Sequence, residues 1–287
     1  MTASPGDRPD WLKIKAAHDP RHDLVRKVMK ELKLRTICDA SQCPNLSECW
    51  GSGTATFMIL GDTCTRSCRF CSVRSGAPRG RFDLTEPSRV AQAVQRLGIR
   101  HAVVTSVTRD DLIMGGASVF AATTEAIRSL TPKVTVETLV PDFQGNRRAI
   151  EMVLNARPEI FAHNLEVVRN AQAIARDHRA SYERSLAVLH LAKELSPGTM
   201  TKSSLMVGLG EDEEGLEEAF IDLRSSGVDL LTIGQYLRPK GSDLEVQRYY
   251  TPDEFDGLKR KAESAGFIRV LAGPIVRSSY HAQDALV

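Results

Sequence analysis

The placement of its cysteines constrains this chain more than any other feature. All six fall in one stretch and none follows Cys71, although the chain runs to 287 residues. A chain of that length can bury a large core without cross-links, and disulfide frameworks are typical of short secreted domains. The clustering therefore predicts a metal or iron–sulfur site. The six positions are Cys38, Cys43, Cys49, Cys64, Cys68 and Cys71.

The charge balance and the hydropathy argue against several classes of function. The 38 basic and 36 acidic residues give a net charge of +2, so there is no global basic field for nucleic acid, although a local basic patch stays compatible. No apolar run reaches the length of about 18 residues that a membrane span needs. The polar start, residues 1–10, lacks the apolar core of a secretory signal. We expect a cytoplasmic protein that binds neither nucleic acid nor membrane.

After residue 53, segments typical of strands and helices alternate. Strands are predicted at 56–60, 102–106, 134–139, 160–163, 203–207 and 230–235. Helices are predicted between them at 88–97, 118–130, 147–155, 182–195 and 213–226. Such alternation is typical of an α/β fold with a parallel sheet, and six units predict an open, partial (β/α)6 TIM-like barrel. A further helix at 252–265 and an apolar segment at 268–272 follow.

Three regions result from this pattern. Residues 1–53 form an N-terminal extension, in which a helical apolar pattern at 24–34 is followed by a loop with the first three cysteines. Residues 54–272 form the barrel, and residues 273–287 form a C-terminal segment. The predicted strands end in polar or glycine-rich loops, and barrel enzymes place their functional loops at that end. We therefore expect the chemistry at the carboxyl ends of the strands.

The second cysteine triad directly follows the first predicted barrel strand. Cys64, Cys68 and Cys71 have the spacing C-x3-C-x2-C. Three thiolates on one short loop can hold three irons of a cubane cluster and leave the fourth iron open to a small molecule. Zinc is the alternative, but it prefers two cysteine pairs or a mixture of cysteine and histidine, and no nearby histidine completes this set.

An aromatic residue, Phe70, stands just before the last cysteine of this triad. The pattern C-x3-C-x-aromatic-C after the first strand of a partial barrel resembles the radical S-adenosylmethionine (SAM) superfamily. The resemblance implies that the open iron binds the amino and carboxylate groups of SAM. It also implies that one electron from the cluster cleaves SAM to methionine and a 5′-deoxyadenosyl radical, while the protein positions the cofactor.

The upstream triad, Cys38, Cys43 and Cys49, has the spacing C-x4-C-x5-C and suits a second cluster. The two triads together resemble the lipoyl synthase family, over nearly all of residues 35–282 and without a departure at any motif. The matching motifs are Cys43-Pro44-Asn45, Glu48-Cys49-Trp50, Gly61-Asp62, Val107-Thr108-Arg109-Asp110-Asp111-Leu112, Gly115-Gly116, His163-Asn164-x-Glu166, Thr201-Lys202-Ser203, Gly208-x-Gly210-Glu211, Gln235-Tyr236-Leu237-Arg238-Pro239 and Arg277-Ser278-Ser279-Tyr280-His281-Ala282.

The resemblance implies that Ser279 is the fourth ligand of the auxiliary cluster. By itself, a pair of serines near a C-terminus is typical of a solvated turn. A serine oxygen is a harder ligand than a thiolate, so it would be displaced more easily from iron.

Other candidate residues follow from the matching motifs or from their position in a predicted strand. Arg109 is expected near SAM, or in a structural pair around it. Glu137 is a charge inside an apolar strand, which is costly to bury without a partner, so it should point into the barrel toward a polar ligand. Asn164 is a candidate to hydrogen-bond the ribose or the carboxylate of SAM, and Arg238 to meet that carboxylate. Lys202 is a candidate for a buried structural pair.

A pair of glycines, Gly208 and Gly210, is expected to let the backbone approach the adenine of SAM. Glycine pairs are also common in ordinary turns, so this signal is weak alone.

The resemblance implies a sulfurtransferase that inserts sulfur at C6 and C8 of an octanoyl group on a carrier lysine. Its cofactors would be SAM and two [4Fe–4S] clusters, with the auxiliary cluster as sulfur donor. Its partners would be octanoylated lipoyl carrier domains (2-oxoacid dehydrogenase E2 subunits and the glycine cleavage H protein), an electron donor such as ferredoxin or flavodoxin, and a cluster-repair iron–sulfur carrier.

Two alternatives remain at this point. One is another two-cluster member of the superfamily, against which the C-terminal Arg277-Ser278-Ser279-Tyr280 argues. The other is a non-catalytic electron carrier, which would be small and would need neither a barrel nor an open iron.

Overall fold

The structure is a computed structural model that describes residues 9–12, 20–40, 45, 49–50, 54–280 and 282. One sheet organises the fold, and its strands are hydrogen-bonded in chain order. The strands are β1 (Arg35–Thr36), β2 (Thr54–Ile59), β3 (His101–Ser106), β4 (Thr135–Leu139), β5 (Ile160–Ala162), β6 (Met200–Val207), β7 (Leu230–Gln235) and β8 (Arg269–Gly273).

Helices connect successive strands and cover the sheet. They are α1 (Pro20–Glu31), α2 (Ile37–Ala40), α3 (Glu86–Leu97), α4 (Ala117–Leu130), α5 (Arg147–Asn155), α6 (Gln172–Ala175), α7 (Tyr182–Leu195), α8 (Glu213–Ser225) and α9 (Pro252–Ser264). Short 3-10 helices occur at Asp10–Leu12, Phe143–Gly145 and Arg169–Ala171. In the described part of the chain, no helix is both long and apolar enough to cross a bilayer.

Strands β2 to β8 are all parallel, and at least one helix follows each strand from β2 to β7. Among the described residues β8 pairs only with β7, so the barrel is open. The α/β partial barrel with six helix-followed strands is therefore confirmed, and β8 adds a terminal strand where the sequence predicted an apolar segment. The N-terminal extension joins the same sheet, because β1 pairs antiparallel with β2.

The strands are buried along nearly their whole length because helices cover the outer face of the sheet while side chains fill the inner face. All six residues of β7 are buried, as are the first five of β3. Strand β6 begins three residues before its predicted start. Thr201 and Lys202 are polar and so do not fit the apolar pattern of a buried strand, although both are buried. Helix α9 begins at a capping box between Thr251 and Glu254, which satisfies its first free N–H groups.

Candidate active site

A cavity of about 660 Å³ opens at the carboxyl ends of the strands. Its walls come from the ends of β2, β3, β4, β6 and β7, from the loops that follow β2, β3, β4, β5 and β7, and from residues 276–278. This is the face at which barrel enzymes place their chemistry. The predicted site residues that line it are Cys64, Cys68, Phe70, Cys71, Asn164 and Arg238.

The sulfurs of the triad that follows β2, Cys64, Cys68 and Cys71, each accept a hydrogen bond from a backbone N–H. Hydrogen bonds to sulfur stabilise thiolate ligands and tune iron–sulfur clusters, so the loop suits iron binding. Within the described part of the chain, no three His, Cys, Asp or Glu side chains are arranged to hold a single metal ion. Three thiols on one short loop suit a cubane cluster, whereas zinc prefers two cysteine pairs or a mixture of cysteine and histidine. The donors are Arg66 to Cys64 at 3.4 Å, Asp177 to Cys68 at 3.3 Å, and Val73 to Cys71.

Two of the thiols have shifted pKa values. Burial raises the pKa of Cys68, although the N–H of Asp177 opposes the shift. Desolvation by the surrounding protein raises the pKa of Cys71 to about 12, and the neighbouring thiols add to the effect, even though the residue is exposed on the cavity wall. Such thiols are protonated at neutral pH unless a cation binds them, because coordinated iron deprotonates its ligands.

A buried arginine between the cysteines braces this loop. The Arg66 guanidinium donates to both Asp110 oxygens at 2.9 Å, and to both Asp142 oxygens at 2.8 and 2.7 Å. Burial opposes ionisation of Asp142, but the Arg66 charge outweighs it and holds the pKa of Asp142 at about 2. Because Asp110 and Asp142 follow β3 and β4, Arg66 fixes the cluster loop to two strand ends.

A second carboxylate holds the loop from the other side. Asp177 accepts hydrogen bonds from the Ser67 N–H at 2.9 Å and from the Arg179 guanidinium at 2.9 Å. The hydrogen bond from Arg179 is the main cause that lowers the pKa of Asp177. The sequence interpretation did not single out Arg66 or Asp177, because nothing in a linear sequence indicates which distant charges will meet.

Polar groups after β5 contribute to the same cavity. Asn164 donates to the Glu166 carboxylate at 3.2 Å, and desolvation raises the pKa of Glu166. The backbone of Glu166 has φ of 72°, which is uncommon for a residue other than glycine and occurs often at functional sites. Glu166 is thus a candidate ligand-binding residue that the sequence interpretation had noted only as part of a motif.

His163 lies beside these groups and serves the structure of the wall. Its two ring nitrogens lie 2.9 Å from the Val140 carbonyl oxygen and 3.1 Å from the Ser185 hydroxyl. Burial lowers the pKa of His163 to about 4, so the ring is neutral at neutral pH. Arg238 lines the cavity with an exposed side chain, and its Nε donates to the Ser242 carbonyl at 2.8 Å.

Other predicted site residues lie outside the large cavity. Arg109 is buried, donates to Asp111 at 2.8 and 2.9 Å and to the Leu60 carbonyl at 3.0 Å, and lines a separate cavity of about 350 Å³. Glu137 is fully buried and accepts hydrogen bonds from Lys202 at 3.0 and 2.9 Å. The interior orientation expected of Glu137 is present, and its nearest charged partner belongs to the chain itself.

The glycine pair forms a turn closed by a carboxylate. The N–H groups of Gly208 and Leu209 donate to Glu211 at 2.6 and 2.8 Å. A Cβ at position 208 would lie 2.1 Å from Gln235 Nε2, and φ there is 100°, so glycine is required for close packing and for the turn. Neither Gly208 nor Gly210 lines the large cavity.

The N-terminal triad is partly described. Cys38 is buried on the short helix α2, in a segment where the sequence predicted a loop, and the N–H of Cys49 donates to the Asn45 carbonyl at 2.9 Å. Cys43 lies outside the described residues. Ser279 is half-buried in the C-terminal segment. Ile37 and Ser278, the neighbours of Cys38 and Ser279, both line the large cavity.

Comparison with known proteins identifies the family. The sequence profile of the Radical SAM superfamily matches residues 58–223, more than half of the chain. The lipoyl synthase of Rubrobacter xylanophilus is 53% identical over 277 residues, which cover 96% of this chain and 86% of that protein. The chain belongs to the lipoyl synthase family. The lipoyl synthases of Thermus thermophilus and Pyrobaculum calidifontis are each 52% identical and each match 96% of this chain, covering 85% and 95% of their own lengths.

The family relationship confirms the principal predictions made from the sequence. The chain is a radical SAM enzyme of the lipoyl synthase type, its cofactors are SAM and iron–sulfur clusters, and its substrate is an octanoylated carrier protein. The arrangement of the three sulfurs and their N–H donors, described above, is compatible with a cluster.

Solved structures agree on the fold. SuiB of Streptococcus suis, solved with bound S-adenosylmethionine, has a TM-score of 0.58 at 9% identity. The match covers 80% of this chain and 54% of the SuiB chain. Methylornithine synthase has a TM-score of 0.52 at 13% identity, with coverage of 87% and 81%. At such low identity the similarity supports the partial barrel alone.

Proposed function

We propose that the chain forms lipoyl groups with two [4Fe–4S] clusters held by separate ligand sets. Cys64, Cys68 and Cys71, which line the cavity, would hold the first cluster. The single observation that carries this assignment is the set of three sulfurs on one cavity wall, each with a backbone N–H donor. The ligands of the second cluster are Cys38, Cys43, Cys49 and Ser279.

When bound, the first cluster supplies the electron that cleaves SAM, and the second supplies the sulfur. The protein's own groups orient the cofactor. Asn164 and Glu166 offer an amide and a carboxyl to the hydroxyl groups of a ribose, and Arg238 offers a cation to a carboxylate. Phe70 lines the same cavity and provides an apolar contact beside the cluster loop.

The cavity also suits an alkyl chain. Apolar side chains from β2, β4 and β6 and from the C-terminal segment share its wall with the cysteines, so an octanoyl group can leave water beside the site of hydrogen abstraction. They are Met58, Leu139, Leu205, Met206 and Val276.

The carrier proteins in this proposal are the E2 subunits of 2-oxoacid dehydrogenases and the glycine cleavage H protein. Ferredoxin or flavodoxin supplies electrons, and an iron–sulfur carrier repairs the spent cluster. We place these reactions in the cytoplasm.

Product analysis tests the function directly. Protein reconstituted anaerobically with iron and sulfide should convert an octanoyl-lysyl carrier peptide, in the presence of SAM and a reductant, to a product with two added sulfur atoms. Mass spectrometry should also detect two 5′-deoxyadenosines per product, one for each activated C–H bond. Formation of 5′-deoxyadenosine without sulfur in the peptide would contradict lipoyl synthesis, and absence of both products would favour an electron carrier.

Carrier domains of this kind often have acidic residues near the modified lysine, so we expect the basic residues near the cysteine loops to meet them. The basic candidates are Lys13, Lys15, Arg69, Arg74, Arg79 and Arg81. Arg79 and Arg81 are exposed, and within the described part of the chain neither forms an ion pair. The remaining basic candidates have other contacts: Arg69 pairs with Asp243 at 3.0 Å and Arg74 with Asp62 at 3.0 Å. Lys13 and Lys15, also expected at this surface, lie outside the described residues.

Replacing Arg79 and Arg81 together by glutamate should weaken binding of an intact, acidic carrier domain by roughly two- to tenfold at low salt, with a smaller effect at high salt. Calorimetry at two ionic strengths measures this change. Lys133→Glu is the matched control, since Lys133 is exposed just before β4 and thus at the opposite face of the barrel. An equal loss of affinity in the control, or an affinity that does not change with ionic strength, would contradict docking at this loop.

A further inference from the structure

The C-terminal strap, residues 274–280, turns back across the mouth of the barrel. Strand β8 ends at Gly273, and the Val276 N–H donates to the Gly273 carbonyl at 3.1 Å, which reverses the chain. Residues 276–278 of the strap then line the cavity that contains the first-strand cysteines. The strap therefore closes one wall of the active site and carries Ser279.

The strap packs closely against the backbone of β7. A Cβ at Gly234, in the interior of β7, would lie 2.1 Å from the Val276 carbonyl oxygen and 3.1 Å from its carbon. Both are backbone atoms, so a side chain cannot be accommodated by a rotamer change. Glycine inside a strand commonly marks the close approach of another backbone, and Gly234 has no positive φ to explain it otherwise.

A hydrogen bond from the N-terminal extension also holds the strap. The Asn45 side chain is 2% exposed, and its Nδ2 donates to the Ile275 carbonyl at 2.6 Å. Asn45 lies between Cys43 and Cys49, so the hydrogen bond joins the N-terminal triad to the strap. Gly234 and Asn45 thus act on adjacent peptide units of the strap from two different parts of the chain.

We propose that Gly234 and Asn45 are positioning residues that hold the C-terminal strap across the active-site cavity. In doing so they place Ser279 beside the N-terminal cysteines, a consequence that rests on the proposed ligand role of Ser279. Removing either contact lets the strap leave the cavity without touching the cysteines that bind the first cluster.

The test uses two variants, Gly234→Ala and Asn45→Asp. The second variant keeps the size of the side chain but replaces the amide donor with a carboxylate oxygen. In the apo protein, trypsin should cleave after Arg277 about tenfold faster in each variant, as followed by mass spectrometry of the released peptide. The new methyl group of Gly234→Ala displaces the strap, and Asn45→Asp loses a buried hydrogen bond, so both raise the population of the open strap. Gly257→Ala in α9, where a Cβ meets nothing within 4 Å, is the control and should cleave at the parental rate. Circular dichroism verifies that each variant is folded.

Iron content separates this proposal from the role of Ser279. After reconstitution, both variants should retain about four of about eight irons, the content of one of two four-iron clusters. They should also keep the spectroscopic signature of SAM bound to the first cluster. Parental cleavage rates in folded Gly234→Ala and Asn45→Asp would overturn the proposal. Faster cleavage with full iron content would support the positioning of the strap and would contradict Ser279 as a ligand instead.

Discussion

Replacing Cys64, Cys68 and Cys71 together by alanine is expected to reduce the iron content from about eight to about four per chain and to abolish 5′-deoxyadenosine formation. The physical reason is that these three thiols are the only protein ligands we assign to the cluster that contacts SAM. Iron analysis after anaerobic reconstitution and chromatography of the SAM products measure the two effects. The fold should survive, since Arg66 and Asp177 brace the loop without iron.

The matched control replaces Cys38, Cys43 and Cys49 instead. That variant should also lose about four irons but should still cleave SAM, so the two triads differ in activity and not in iron count. A Cys64–Cys68–Cys71 variant that still forms 5′-deoxyadenosine would show that our division of labour between the triads is wrong.

Lys202→Met is expected to lower the free energy of unfolding by about 3–5 kcal/mol. Lys202 is 3% exposed and Glu137 fully buried, so the substitution leaves a carboxylate in the barrel interior without its main counter-charge. Burial opposes ionisation of Glu137, whereas Lys202 and His101, whose Nε2 is 3.6 Å away, outweigh it and lower the pKa of Glu137. Urea unfolding of the apo protein at neutral pH measures the loss.

The sign of the pH dependence follows from this pair. In the parent, the lowered pKa of Glu137 contributes stability above the usual glutamate pKa, and that contribution is lost as the pH falls through the lowered value. In Lys202→Met, His101 is the main group left to oppose burial, so the pKa of Glu137 rises and the loss should shrink as the pH falls toward about 4. The double variant Lys202→Met, Glu137→Leu should recover most of the stability. A single variant as stable as the parent would contradict the buried pair.

Much of the fold could be predicted because local patterns and global topology agree. Helices α5 and α7 begin and end where the sequence predicted them, since their apolar periodicity is clear and Asn146 and Ser181 cap their first turns. Strand β6 was predicted too short because Lys202 finds its partner Glu137 at a distance of 65 positions, which no local pattern reveals. The short helix α2 lay in a predicted loop, because a single turn carries no periodicity.

The site was predictable where spacing encodes chemistry. The cysteine spacing and Phe70 predicted the cluster loop, and the structure brings these residues and Asn164 to one cavity. The bracing of that loop by Arg66 was not predictable, because its carboxylate partners lie 44 and 76 positions away. Arg109, Gly208 and Gly210 remain predictions as SAM contacts, and the structure places all three outside the large cavity.

The hydrogen bond between Asn45 and Ile275 joins residues 230 positions apart. A ribosome that adds about 5–20 residues per second needs roughly 10–50 s to make that span. During this interval the N-terminal cysteines have emerged, while the strap that we propose to complete their site has not been made. The carboxylates that brace Arg66 are synthesised much earlier, at Asp110 and Asp142. Maturation is therefore expected to be ordered in time: the loop that carries Cys64, Cys68 and Cys71 can fold early on the nascent chain, whereas the proposed second ligand set becomes complete only after residue 279 has been made.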